Sequence, residues 1–197
     1  MSVDHSALGG RLPLYDRESL DPAQKELFDW LMNAAVPWAA DADFQACTET
    51  GRLIGPFNAA LLTPAISSAF IELAVAEQKD TSLGKRSREV IILTVGAVWQ
   101  APYELYAHCA VGRHVGLSDD AVRTLADGGL PKDLTDAETV AHRVARALSL
   151  EHHLDEALYR EAEALLGPDG VMETVVLTGI YHTVCAILNA FEIPAPS

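Results

Sequence analysis

The stretch REVIILTVGAVWQAPYELYAHCAVGRHVGLSDDAV, Arg88 to Val122, decides the fold. From Val90 to Trp99 it is apolar on every side apart from Thr94, the pattern of a helix buried all round. Its β-branched residues would also suit a strand, but length and flanking pattern favour a helix from about Lys85 to Gln100. Pro102 opens the next helix, PYELYAHCAVGRHVG, and Gly116 stops it. Glu104 and His108 lie four apart in that helix and so share a face, which Ala101 continues one turn earlier.

Outward from this stretch, the chain reads as helices with recognisable starts. Asp21 is an N-cap with Pro22 behind it, and Leu27, Phe28, Leu31 and Met32 form an apolar stripe. Pro37 is expected just beyond the end of that helix. Gly55-Pro56 marks a turn, with a short helix from Phe57 and a longer one from Pro64. Ser118 caps a helix, and Thr135 with Glu138 forms a capping box. LDEALYREAEALLG is amphipathic, and DGVMETVVLTGIYHTVCAILNAF is a long apolar helix ending before Pro194. The reading is all-α, with residues 1–20 a tail and 21–197 one domain. No strand-rich block, Gly/Ser linker or low-complexity tract divides the chain.

Composition narrows the classes of function. At 197 residues, 49% hydrophobic and 21% charged, the chain is globular. A net charge of −14 argues against nucleic acid, whose phosphates need clustered Lys and Arg. The expectation is that no apolar run reaches the roughly 20 residues of a bilayer span. The N-terminus lacks a basic segment followed by an apolar one, so the expectation is a cytoplasmic protein without a membrane partner. Cys47, Cys109 and Cys185 are far apart and form no CxxC, so neither a disulfide framework nor a zinc site of usual spacing is expected.

By spacing alone, Glu104–His108 reads first as a helix salt bridge, worth a few tenths of a kcal/mol. It also suits acid–base work. A carboxylate raises a histidine pKa while burial lowers it, and two close carboxylates push one pKa upward. Tyr181, His182 and Asn189 are polar groups in an apolar helix and need partners, Asn189 within a core network. His142 is expected to be exposed. Cys109 reads as a packed small hydrophobe.

With those residues in place, Arg88 to Val122 resembles the core motif of the carboxymuconolactone decarboxylase family, within the AhpD-like superfamily. The peroxidase form of that motif is Glu, eleven residues, then C-x-x-C-x-x-x-H. Glu89 and His108 occupy its ends with the spacing intact, while Ala101 and Glu104 stand at the cysteine positions. GPFNAALLTP and YHTVCAILNAF resemble blocks of the decarboxylase-like members, so the resemblance runs from about Gly51 to Pro194. It implies an AhpD-like helical bundle with an internal helical repeat, assembled as a homo-oligomer, trimer or hexamer. Without the cysteines, thiol peroxidase chemistry is disfavoured. What the resemblance implies instead is an acid–base enzyme, a decarboxylase/lyase or isomerase using no cofactor and no metal, acting on a small carboxylic acid or lactone. The catalytic set would be His108 as proton shuttle, Glu104 as its orienting partner, Glu89 as a second acid–base group and Tyr103 as a donor to an oxyanion. Arg52 or Arg113 would grip a substrate carboxylate, with Asn58 and His182 in the substrate site. Two alternatives stand beside it: a non-catalytic binder or scaffold, and, less favoured, an oxidoreductase using Cys109.

Overall fold

The computed structural model describes residues 8–196. It has eight α-helices and, among the described residues, no strand beyond an isolated bridge between Cys47 and Leu53. The helices are α1 (Pro22–Asp41), α2 (Pro56–Ala60), α3 (Pro64–Asp80), α4 (Lys85–Trp99), α5 (Pro102–His114), α6 (Asp119–Ala126), α7 (Asp136–Leu150) and α8 (Glu156–Ala190). Every residue from Glu89 to Gly96 of α4 is buried, as the all-apolar stretch predicts. That helix is the hub of the bundle, packed against α5, α6, α7 and α8.

The hairpin of α4 and α5 positions the site. Gln100 ends α4 in the left-handed region, at φ 50°, and Pro102 starts α5 two residues later. The two helices approach closely at Gly96. A Cβ there would stand 3.2 Å from Glu104 Cγ and from Leu105 Cδ2, so only glycine leaves Glu104 its place without a shift. The capping residues act as expected: Asp21 with Gln24, Ser118 alone, and Thr135 with Glu138.

Two expectations need correction. Pro37 lies inside α1, not beyond it. It withholds the N–H that would reach the Asn33 carbonyl, but Ala39, Ala42 and Phe44 bury themselves beyond it and carry the helix on. The two C-terminal helices meet where expected: Gly167 (φ 72°, ψ 168°) breaks α8 into two parts, with Pro168 opening the second. Part of α8 is long and apolar enough to span a bilayer by length and composition, although in this fold it packs on α4 and α7. Residues 8–20, part of the expected tail, lie against the helices. Leu8, Leu12 and Leu14 pack on the core, and the Arg11 amide donates to the Phe191 carbonyl at 2.7 Å. The rest of the expected tail, residues 1–7, lies outside the described residues.

Candidate active site

Glu89, one turn into α4, and Glu104 and His108, on one face of α5, converge in the interior. They are 6%, 2% and 5% exposed. His108 Nδ1 stands 2.8 Å from Glu89 Oε2, a hydrogen bond across the hairpin. On its other side, His108 Nε2 lies 3.4 Å from Glu104 Oε1, close enough for ion pairing. That contact is too poorly aligned to count as a hydrogen bond: Glu104 Oε1 is the one buried side-chain oxygen among the described residues with no hydrogen-bond partner. Such an atom is costly to bury, and groups of this kind concentrate where they have a chemical task.

The electrostatics follow from the geometry. Burial alone would depress the His108 pKa, but Glu89 and Glu104 more than offset it and push it up to about 9. Burial pushes the Glu104 carboxyl up to about 7, against the pull of His108 and with a further push from Glu89. At neutral pH the site therefore holds an imidazolium between two carboxyls, one of them poised to exchange its proton.

Aromatic rings enclose the imidazole. Tyr181 of α8 meets His108 edge-on, with ring centroids 5.1 Å apart at 89°. Trp38 of α1 stands 6.4 Å from the same ring and is 39% exposed, so it is where the surroundings of His108 meet solvent. Tyr181 makes no hydrogen bond among the described residues. Burial, then Glu104 and Glu89, hold its phenol well above its ordinary pKa.

The other predicted residues are placed elsewhere or are already engaged. Tyr103 is buried and donates to the Gln45 carbonyl at 2.6 Å, so its hydroxyl is taken. Its ring fits because Gly55 has no Cβ, which would lie 2.3 Å from the ring. Asn58 clamps the N-terminal segment, donating to the Pro13 carbonyl at 3.0 Å and accepting from the Tyr15 amide at 3.3 Å. Arg52 pairs with Asp16 through two contacts of 2.6 and 3.0 Å. Arg113 pairs with Asp119 at 2.7 Å and donates to the Cys109 carbonyl. His182 lies 2.8 Å from Ser149 Oγ and packs on Trp99. Because Ser149 donates to the Ala145 carbonyl, it must accept from His182, which makes that pair structural. His142, expected at the surface, is 3% exposed and bonds Thr94 Oγ1 at 2.7 Å; burial and Arg146 push its pKa down to about 4.

Sequence reasoning thus chose His182 where the neighbouring Tyr181 faces the triad. About 100° of helix rotation separates adjacent residues, so the choice needed the helix's orientation. Trp38 was also missed, because it was read as lying beyond its helix. Asn189 donates to the Trp99 carbonyl at 2.8 Å, the core role expected of it. Burial pushes the thiols of Cys47, Cys109 and Cys185 up, against thiolate chemistry. Among the described residues, no group of three or more His, Cys, Asp or Glu side chains is placed to hold a metal ion. Two surface cavities, one around Trp99, Pro102 and Asn189 and one around Arg143, Arg146 and His153, include no residue of the triad.

No family model and no curated protein matches the chain by sequence. Solved structures do match it by fold. An AhpD-core, peroxidase-related protein of Ralstonia eutropha superposes with a TM-score of 0.74 at 17% identity, over 95% of this chain and 92% of its own. A peroxidase-related protein of Silicibacter sp. TM1040 gives 0.75 at 15% identity, over 100% and 96%. The debrominase Bmp8, in a variant crystallised with 2,3,4-tribromopyrrole, gives 0.71 at 14% identity, over 93% and 90%. The chain therefore has the all-α fold of AhpD-like proteins, a fold whose members include an enzyme with a small-molecule ligand.

Proposed function

We propose that the protein is a cofactor-independent acid–base enzyme, of the lyase or isomerase type found in carboxymuconolactone decarboxylation, acting on a small carboxylic acid or lactone. The observation that carries this reading is the buried His108 held between Glu89 and Glu104, with Glu104 Oε1 left without a hydrogen-bond partner. A binder or scaffold has no use for that oxygen, whose burial costs about 1–3 kcal/mol. An oxidoreductase using Cys109 is disfavoured, because that residue packs against the apolar cluster that includes Val90, Leu93 and Leu117, with its pKa raised by burial. In the proposed reaction, His108 passes a proton between substrate and carboxylates, Glu89 fixes the imidazole and Glu104 exchanges the proton. A homo-oligomer belongs to the same reading: α3 has no buried residue and exposes Ile66, Leu73 and Val75.

The test is CO₂ release from 4-carboxymuconolactone, wild type beside His108→Ala. A loss of roughly 10²–10⁴-fold in the variant is expected. Turnover by the variant at the wild-type rate would overturn the role of His108.

A further inference from the structure

A substrate carboxylate needs a cation, and the arginines offered for that task are engaged. Arg52 is held by Asp16 and Arg113 by Asp119. Arg88, the arginine whose charge reaches His108, is ion-paired with the Glu77 carboxylate. The triad itself already carries two carboxyls against one imidazole. An incoming anion would meet like charge there, in an interior where such repulsion is poorly screened. What stands uncommitted around His108 is a proton acceptor, Glu104 Oε1, and a neutral donor, the Tyr181 hydroxyl. The donor once expected of Tyr103 is already spent on Gln45.

We propose that Tyr181 is a catalytic residue that donates a hydrogen bond to the carbonyl oxygen of an uncharged, β,γ-unsaturated lactone or ketone, which the site isomerises to the α,β-unsaturated form. This deepens the acid–base reading above and rests on it. The Glu104 carboxylate takes the proton from the α-carbon. The C–H electron pair becomes a new C=C bond and the carbonyl π pair moves onto oxygen, where the Tyr181 O–H stabilises it without giving up its proton. The dienolate then collapses and its γ-carbon takes a proton back from Glu104 or from the His108 imidazolium. Nothing is oxidised or reduced, and no co-reactant is consumed. The two aromatic rings beside His108, Trp38 and Tyr181, suit a flat conjugated intermediate of this kind. An aliphatic Tyr181→Leu change would remove both the donor and that wall.

The experiment follows α-angelica lactone, an uncharged β,γ-unsaturated lactone, in D₂O by proton NMR with the full-length protein, and runs 4-carboxymuconolactone in parallel. Wild type should form the α,β-isomer, keeping protium at the γ-carbon where Glu104 returns its proton and gaining deuterium where His108 supplies it. Tyr181→Phe should lower kcat by roughly 10²-fold, as removal of one oxyanion donor does, with KM little changed. A ring-fluorinated tyrosine at position 181 keeps the shape while acidifying the phenol; it should change kcat even if Tyr181→Phe fails to fold. Unchanged kcat in both variants overturns the role of Tyr181. Turnover of 4-carboxymuconolactone but not of the uncharged lactone overturns the substrate class and leaves the acid–base reading standing. Turnover of neither overturns both.

Discussion

At the scale of single residues, Glu104 shows two effects in opposition. It sits in the first turn of α5, where the helix dipole favours a negative charge. It is also fully enclosed, and burial wins, raising its pKa to about 7 from an ordinary 4.5. A group whose pKa is raised by folding contributes stability below its unfolded pKa and loses it as pH rises through the folded one. For Glu104 the loss falls between about 4.5 and about 7, and for His108 between 6.5 and about 9. Glu104→Gln should therefore give a more positive slope of Tm against pH than wild type across the lower window, where His142 acts in the opposite sense, read by thermal denaturation against pH. Equal slopes in both proteins would refute it. Activity should rise as Glu104 ionises near pH 7 and fall as His108 loses its proton near pH 9, a bell that a pH–rate profile reads directly. Tyr103→Phe loses only a buried hydrogen bond to Gln45, so it should cost about 1 kcal/mol of stability and leave kcat unchanged.

At the scale of elements, the α4–α5 hairpin brings Glu89 to His108, nineteen residues apart in sequence. Spacing within α5 showed that Glu104 and His108 share a face. Spacing could not show that Glu89 lies opposite, because that depends on how closely the two helices cross. The glycine at position 96 sets that approach. Gly96→Ala should fold and lose activity, because the added methyl lies 3.2 Å from Glu104 Cγ and forces that side chain to move. Gly55→Ala is harsher, combining a φ of 64° with a methyl 2.3 Å from the Tyr103 ring, and should cost about 3 kcal/mol or more in a denaturant titration. The helices themselves were legible from caps and apolar runs. Pro37 was harder, because tertiary packing carries α1 past it, whereas Gly167 ends the first part of α8 as a glycine stop does. His142 was misread because its helix looks charged along its length while its own face turns inward onto Thr94.

At the scale of the whole molecule, ion pairs pin the helices around the buried hairpin. Arg86 of α4 reaches Glu138 of α7 at 2.7 Å and the Gly116 carbonyl beyond α5, joining three elements. Glu138 is also half of the capping box of α7, so Glu138→Ala should cost about 2 kcal/mol. Its pKa is lowered: burial opposes its charge, but the Arg86 and Thr135 bonds more than offset that. That contribution is present above pH 4.5 and fades as pH falls. Glu104 acts in the opposite sense up to about pH 7, but the buried neutral His142 gains stability up to 6.5 and offsets it, so Tm should stay nearly level from about pH 4.5 to 6.5 and decline above that as His108 loses its proton. The apolar face of α3 belongs to the same scale. Ile66 is 72% exposed, and Ile66→Glu should dissociate the proposed oligomer in sedimentation while leaving the chain folded. A wild type that sediments as a monomer would contradict that assembly.

The central claim is that Glu89, His108 and Glu104 form one proton-handling unit, and NMR titration of the His108 ring nitrogens tests it without knowledge of the substrate. The account predicts a midpoint near pH 9 in the wild type, moved downward in Glu89→Gln, which removes both a negative charge and a hydrogen bond to the charged ring. A midpoint at the ordinary histidine value of about 6.5, unmoved by that substitution, would contradict it.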